Sequence, residues 1–204
     1  LSLEKGFFAD WYEPKFSEYL QTINHLAIDA INSSHNIISL NNKQKYNFAK
    51  LLVVQWFRLP SIRNDNESSF NEFVPQMMRL FKEGLSKEMN NSDIAKLDIS
   101  ISIEDKSVYH AKSTFLDEEL VDTFASKLCD NIWTFSYSSD GDFYTSDFPI
   151  TVNAHINNVR PICQGLAQYG AELTYPLSKN LGLTIWDKEY FTDKGKKDLS
   201  ICIA

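Results

Sequence analysis

The sequence has only three cysteines in 204 residues, Cys129, Cys163 and Cys202, with no C-x-x-C pair and no structural zinc spacing. An odd, unpaired set reads as reduced thiols in a cytoplasmic protein, not as a disulfide scaffold. No apolar run reaches the roughly 18 residues of a membrane-spanning helix. The start, Leu1-Ser-Leu-Glu-Lys-Gly6, has neither an initiator Met nor the apolar core of a signal peptide, and reads as a trimmed chain. Positive charge is also short. Against 27 Asp and Glu stand 20 Lys and Arg, a net charge of −7, which argues against a general electrostatic grip on nucleic acid or an anionic membrane. No Walker, dinucleotide-binding, G-x-S-x-G, H-E-x-x-H or zinc-finger pattern occurs, so no common signature names an activity, and the cofactor is left unknown.

What is present is apolar mass. Hydrophobic residues make up 43% and aromatics 13%, enough for a sizeable core and too much for a disordered chain. The length suits a single domain over 1–204, mainly helical to residue 130 and mainly antiparallel β from 131. The acidity is local. Residues 92–147 hold four Lys against nine Asp and three Glu, whereas residues 1–91 are neutral and 148–204 carry a net +1. Such a stretch is a solvated surface, a metal site or the meeting place of a basic protein partner.

The first half has helical periodicity. Pro14 opens a stripe of Phe16, Tyr19, Leu20, Ile23, Ala27, Ala30 and Ile31. A second helix is expected from Asn41 or Asn42 to Leu59, stopped by Pro60, and its later part is apolar all round, which predicts a buried central helix. Phe70, Phe73, Met77, Phe81 and Leu85 predict a third helix, kinked at Pro75, with its aromatics in the core. Thr114-Phe-Leu-Asp117 predicts a capped helix over 116–130 with Leu116, Leu120, Phe124 and Leu128 as its stripe. Then the period falls to two. Ile132–Tyr137, a turn at Asp140-Gly141, a strand beginning Phe143-Tyr-Thr, the pair Glu172–Leu177 and Leu181–Trp186, and Leu199–Ile203 predict an antiparallel sheet. The expected fold class is α+β, a helical layer on a small C-terminal antiparallel sheet.

Gln55 and Arg58 are the only polar residues in the run 51–59, one helical turn apart, and Arg63 follows just after Pro60. A guanidinium in such a setting needs a carboxylate, a carbonyl or a bound anion. One reading is a pocket that grips phosphate or carboxylate bidentately. The other is a structural network with Glu13 or Asp147 as partner. Ser146-Asp147, after an aromatic strand and before Phe148-Pro149, is either a displayed reactive pair or a turn. Asp140, Asp142 and Asp147 invite a metal, yet their spacing matches no calcium loop, so no metal ligand is assigned. His25, His35, His110 and His155 fall on a polar face or in connectors and form no ligand motif.

Three passages resemble a known family. Phe48–Arg63, read as an apolar run then Q-x-x-R-L-P-x-x-R, together with Phe143-Tyr-Thr-Ser-Asp-Phe-Pro-Ile150 and Glu172-Leu-Thr-Tyr-Pro-Leu-Ser178, is similar in order and spacing to the bacterial domain of unknown function 4238 family. Two departures stand out. Phe148 occupies the position the family gives to Asn, and a His-aromatic-aliphatic-Pro segment that would precede Leu1 is absent. The resemblance implies a bacterial cytoplasmic protein and supplies no activity. From the residues, the expectation is a pocket for an anionic, phosphate-containing ligand or phosphodiester. In it Arg58, Arg63 and Ser146 bind, Asp147 acts as base or metal ligand, and Gln55 orients water or substrate, the reaction class being phosphodiester or related hydrolysis. The alternative is a non-catalytic interaction module in which the same residues are structural.

Overall fold

Pro14 sits in the first turn of α1 (Glu13–Asn32), which follows a π-helical segment, Leu3–Tyr12, and buries Phe16, Ile23, Ala27 and Ala30. The computed structural model describes residues 3–34, 38–155 and 165–193. His35, Cys163, Cys202 and the strand expected over Leu199–Ile203 lie outside the described residues. Asn41 starts α2 (Asn42–Phe57) through a reciprocal cap: Gln44 N donates to Asn41 Oδ1 at 2.9 Å, and Asn41 N to Gln44 Oε1 at 3.0 Å. As its sequence predicts, α2 is buried on most sides, with Phe48, Ala49, Leu52 and Val53 inaccessible to solvent.

The chain gathers into two compact units, Leu1–Trp56 with Glu118–Ala204, and Phe57–Asp117. In the first, α5 (Glu118–Asp130) leads into a four-stranded antiparallel sheet of β1 (Ile132–Tyr137), β2 (Thr151–Ala154), β3 (Ala171–Pro176) and β4 (Leu181–Trp186), ordered β1-β4-β3-β2 and followed by α6 (Lys188–Asp193). Alternation sends Trp133, Phe135, Leu173, Tyr175, Leu181, Leu183 and Ile185 inward. Phe48 of α2 meets Trp133 at 6.0 Å and Phe16 of α1 meets Tyr175 at 5.9 Å between ring centroids, so the helices lie on this inner face. Truncating a ring as enclosed as Phe48 costs about 3–5 kcal/mol. Burial also pushes the Tyr175 hydroxyl up to about 12. Lys45 ties α2 to the end of α5, donating to Cys129 O at 2.6 Å and Asn131 O at 3.1 Å, and desolvation lowers its ammonium below the usual range. The neighbouring Cys129 thiol is raised by burial, the direction of an unreactive cysteine. The fold is α+β, helices first and antiparallel sheet after.

In the second unit, α3 (Pro60–Glu88) packs with α4 (Lys106–Lys112). His110 is buried. Its Nε2 lies 2.8 Å from Phe57 O and its Nδ1 3.3 Å from the Asn66 amide, which also donates to Ser113 Oγ at 2.9 Å. Burial first, then nearby Arg63, lowers the imidazole's affinity for a proton, although the bond to Phe57 O works the other way.

Several local expectations change. Phe143–Thr145 is not a strand; the second strand is Thr151–Ala154. Thr114 turns its buried hydroxyl back to His110 O at 2.5 Å and does not cap α5 through its side chain. The buried stripe of α5 is Val121, Ala125 and Leu128, while Leu116 is exposed. No residue of α3 is buried, so the helix forms as its period predicts but its aromatics are not core.

Candidate functional site

The outer face of the sheet is lined with hydroxyls. Register places Thr134 beside Thr184, Thr184 beside Thr174, and Thr174 beside Thr151, a row of four threonines crossing every strand. Cross-strand bonding of such residues is favourable. Thr151 and Thr174 share a hydrogen bond, Thr134 Oγ1 donates to Thr184 O at 3.3 Å, and Trp186 Nε1 donates to Thr134 Oγ1 at 2.8 Å. Two residues along lie Ser136, Gly182 and Pro176.

The segment between β1 and β2 roofs this floor, because it is fastened to the β3–β4 turn. Ser138 N donates to Asn180 O at 2.9 Å, Asn180 Nδ2 to Ser138 O at 2.7 Å, and Phe143 N to Lys179 O at 3.1 Å. Gly141, at φ 76°, makes the tight turn that permits it. Phe143 then lies over Gly182, where a β-carbon would stand 2.6 Å from its Cε1. Floor and roof border a cleft of about 410 Å³, open to solvent on one side where Tyr144 and Phe148 are exposed. Ser136, Ser146, Thr151, Thr174 and Thr184 bring hydroxyls to it, Phe143, Tyr144 and Phe148 bring aromatic rings, and no Asp, Glu, Lys, Arg or His stands among its described walls.

The residues expected to form one site are distributed. Ser146 lines this cavity, and its Oγ accepts from Phe148 N at 3.1 Å. Asp147, next to it, is exposed, is not in the wall, and its carboxylate makes no hydrogen bond or ion pair among the described residues. It is a solvent-facing turn residue in this structure. Gln55 is half-buried on α2, outside that wall, and its Oε1 accepts at 3.0 Å from Tyr12 OH, which also lies 3.0 Å from Leu51 O. Arg58, half-buried, and Arg63, exposed in the first turn of α3, belong to the second unit. Part of the acidity of 92–147 is locally engaged. Asp105 caps α4 by accepting from Val108 N at 3.0 Å, Asp142 accepts from Ser138 Oγ at 2.5 Å, and Lys50, 2.6 Å from Asp122, holds that carboxyl below the usual carboxylate range. Among the described residues no group of three or more His, Cys, Asp or Glu is gathered for a metal ion.

One pair escaped the sequence reading. His155 Nε2 lies 2.7 Å from Glu172 Oε2, 17 residues apart, and the imidazole is surrounded by Trp186, Tyr190 and Phe191 at 5.5–5.9 Å. The signal that could have found it is alternation in β3: Glu172 points to the same face as Thr174, about 7 Å away along the strand. A histidine held by a carboxylate is the orienting half of an acid–base site. A nucleophile would complete it, but among the described residues no hydroxyl or thiol bonds this ring. Below the pair, buried Asp187 accepts from Gly170 N at 2.8 Å and Tyr190 N at 3.2 Å, fixing the start of α6 against the sheet.

The model of one family, described as a protein of unknown function (DUF4238), matches residues 1–201. No curated protein and no solved structure matches the chain. No helix among the described residues is long and apolar enough to cross a membrane.

Proposed function

The chain belongs to the DUF4238 family, and from the residues at its sheet we propose that it binds a neutral, hydroxyl-rich small molecule, of the sugar or nucleoside kind, in the cavity between the threonine row and the 143–149 roof. The observation that carries this reading is the wall itself: the hydroxyls of two serines and three threonines beside the rings of Phe143, Tyr144 and Phe148, with no carboxylate or cation among them. Each Ser or Thr hydroxyl both donates and accepts, which suits a ligand whose own groups do the same. The rings cover apolar ring faces. A phosphate dianion taken into this wall would lose its hydration without a cation to replace it.

The test is calorimetric titration of the full chain with a panel of mono- and disaccharides, nucleosides and inorganic phosphate. A neutral member of the panel binds, and Thr174→Val weakens it by about tenfold, the worth of one good hydrogen bond. Phosphate competing for the same cavity, or a binder indifferent to Thr174→Val and Phe143→Ala, would sink the reading. A second reading has its own observation. Arg63 is exposed and its guanidinium has no hydrogen bond or ion pair among the described residues. Arg63 thus remains a proposed anion contact, checked by whether phosphate raises the thermal midpoint of the chain but not of Arg63→Ala.

A further inference from the structure

The polar surface of the sheet continues past the cleft. On the outer face, the pair that follows Thr151–Thr174 is Asn153–Glu172, two residues further along β2 and β3. It stands about 7 Å beyond the threonine row, on the side away from the roof. Directly opposite residues of two strands hold their side chains next to each other. His155 Nε2 holds Glu172 by Oε2 at 2.7 Å, which fixes the carboxylate and leaves Oε1 without a hydrogen bond among the described residues. Asn153 is exposed, and its amide bonds nothing among the described residues either. Trp186, the partner of Glu172 on β4, stands on the other side, its indole tied to Thr134 Oγ1 at 2.8 Å.

Over that one step the surface changes character. Hydroxyls, which both donate and accept, give way to a carboxylate that only accepts, beside an amide that can donate. The ligand edge that answers them carries a donor next to an acceptor. The amino-bearing edge of adenine or cytosine has this pattern, an exocyclic N–H beside a ring-nitrogen lone pair, and a carboxylate accepts from such an amine. Hypoxanthine and uracil invert the pattern and would turn a carbonyl toward the carboxylate. A ribose and the far edge of its base are separated by a distance comparable to the step between the two pairs. We propose that the ligand is a nucleoside with an amino-bearing base, its ribose on the threonine row and its amino edge against Glu172 and Asn153. This rests on the cleft being the site of a neutral, hydroxyl-rich ligand, and names which one.

Calorimetric titration of the full chain with adenosine, inosine, cytidine, uridine, ribose and cellobiose tests this. Adenosine binds about tenfold tighter than inosine, and cytidine than uridine, the worth of one hydrogen bond to a charged acceptor. Glu172→Gln, whose amide serves either kind of base, removes both differences, while Thr174→Val weakens every nucleoside alike. Asn153→Asp, which sets a carboxylate against the ring-nitrogen lone pair, weakens adenosine and cytidine and leaves ribose unchanged. Equal affinity within each pair of bases, or a preference that survives Glu172→Gln, overturns the proposal. Cellobiose binding that depends on Thr174, with no nucleoside bound, overturns it too but leaves the reading of the cleft standing, whereas no binding by any of the six overturns both. Should Glu172→Gln not fold, Asn153→Asp, at an exposed position, decides alone.

Discussion

The roof over the sheet depends on one missing side chain. Gly182 lies within β4, and a β-carbon placed on it would stand 2.6 Å from Phe143 Cε1, 3.0 Å from Cζ and 3.1 Å from Cδ1. Carbon atoms rest about 3.5–4.0 Å apart, so in Gly182→Ala the ring must retreat by roughly 1 Å. Two effects then oppose each other. Replacing Gly in a strand stabilises by about 0.5–1 kcal/mol through the unfolded chain, while overpacking costs about 1–3 kcal/mol. The clash wins, and Gly182→Ala is destabilising by about 1 kcal/mol. In a Phe143→Ala background nothing opposes the methyl, and the same substitution becomes stabilising by about 0.5–1 kcal/mol. Urea unfolding of the four chains, followed by tryptophan fluorescence, closes the cycle with a coupling of about 1.5–2 kcal/mol between the two sites. Additivity within about 0.5 kcal/mol would refute the placement of Phe143 over Gly182, and with it the cavity.

Other consequences follow from buried polar groups. Burial lowers the proton affinity of His110 in the folded chain, so as the pH falls the unfolded chain takes up the proton first. Stability is therefore full above the unfolded value of about 6.5 and falls below it, by at most about 1.4 kcal/mol per pH unit, a slope that urea titrations across pH 5–7 show and that His110→Gln abolishes. Asp187→Ala leaves Gly170 N and Tyr190 N without their acceptor and costs about 2–4 kcal/mol in chemical denaturation, more than Glu189→Ala on the exposed side of the same helix. Tyr12→Phe removes the hydroxyl bonded to Gln55 and Leu51 and costs about 1–1.5 kcal/mol, and a cost near zero would free Gln55 for the role its sequence position suggests.

What the sequence made legible is what a local period can carry. The buried run of α2 has no polar face to present, and Leu181–Trp186 alternates beside a short turn, so both elements are found where their patterns put them. Phe143-Tyr-Thr has the composition of a strand too, but its backbone is not paired in the sheet. Phe143 N is taken by Lys179 O, and its ring needs the open space over Gly182, two facts separated from it by some forty residues of chain. The His155–Glu172 pair was hidden for the same reason. It exists because β2 pairs with β3 in a register that matches Asn153 with Glu172 and continues to His155 N on Gly170 O at 2.8 Å. The aromatic spacing of α3 correctly predicts a helix and says nothing about what, if anything, lies against it.

The three passages that carry the family resemblance do unequal work. Two of them, 143–150 and 172–178, contribute opposite walls of one cavity, so their shared presence has a geometric reason: a roof is useful only over its floor. The third contributes Gln55 to a bond with Tyr12, inside a helix that is otherwise core, and Arg58 and Arg63 to the second unit. Phe148 matters in this light. Where the resemblance implies Asn, this chain has a half-exposed ring at the cavity wall, an aromatic face in place of an amide that donates and accepts. Specificity set by one polar group is sharp, because a ligand lacking its partner leaves that group unpaired, whereas a ring discriminates weakly among apolar faces. Phe148→Asn should therefore narrow the range of neutral ligands accepted while leaving the Thr151–Thr174 floor, and the dependence on Thr174, unchanged.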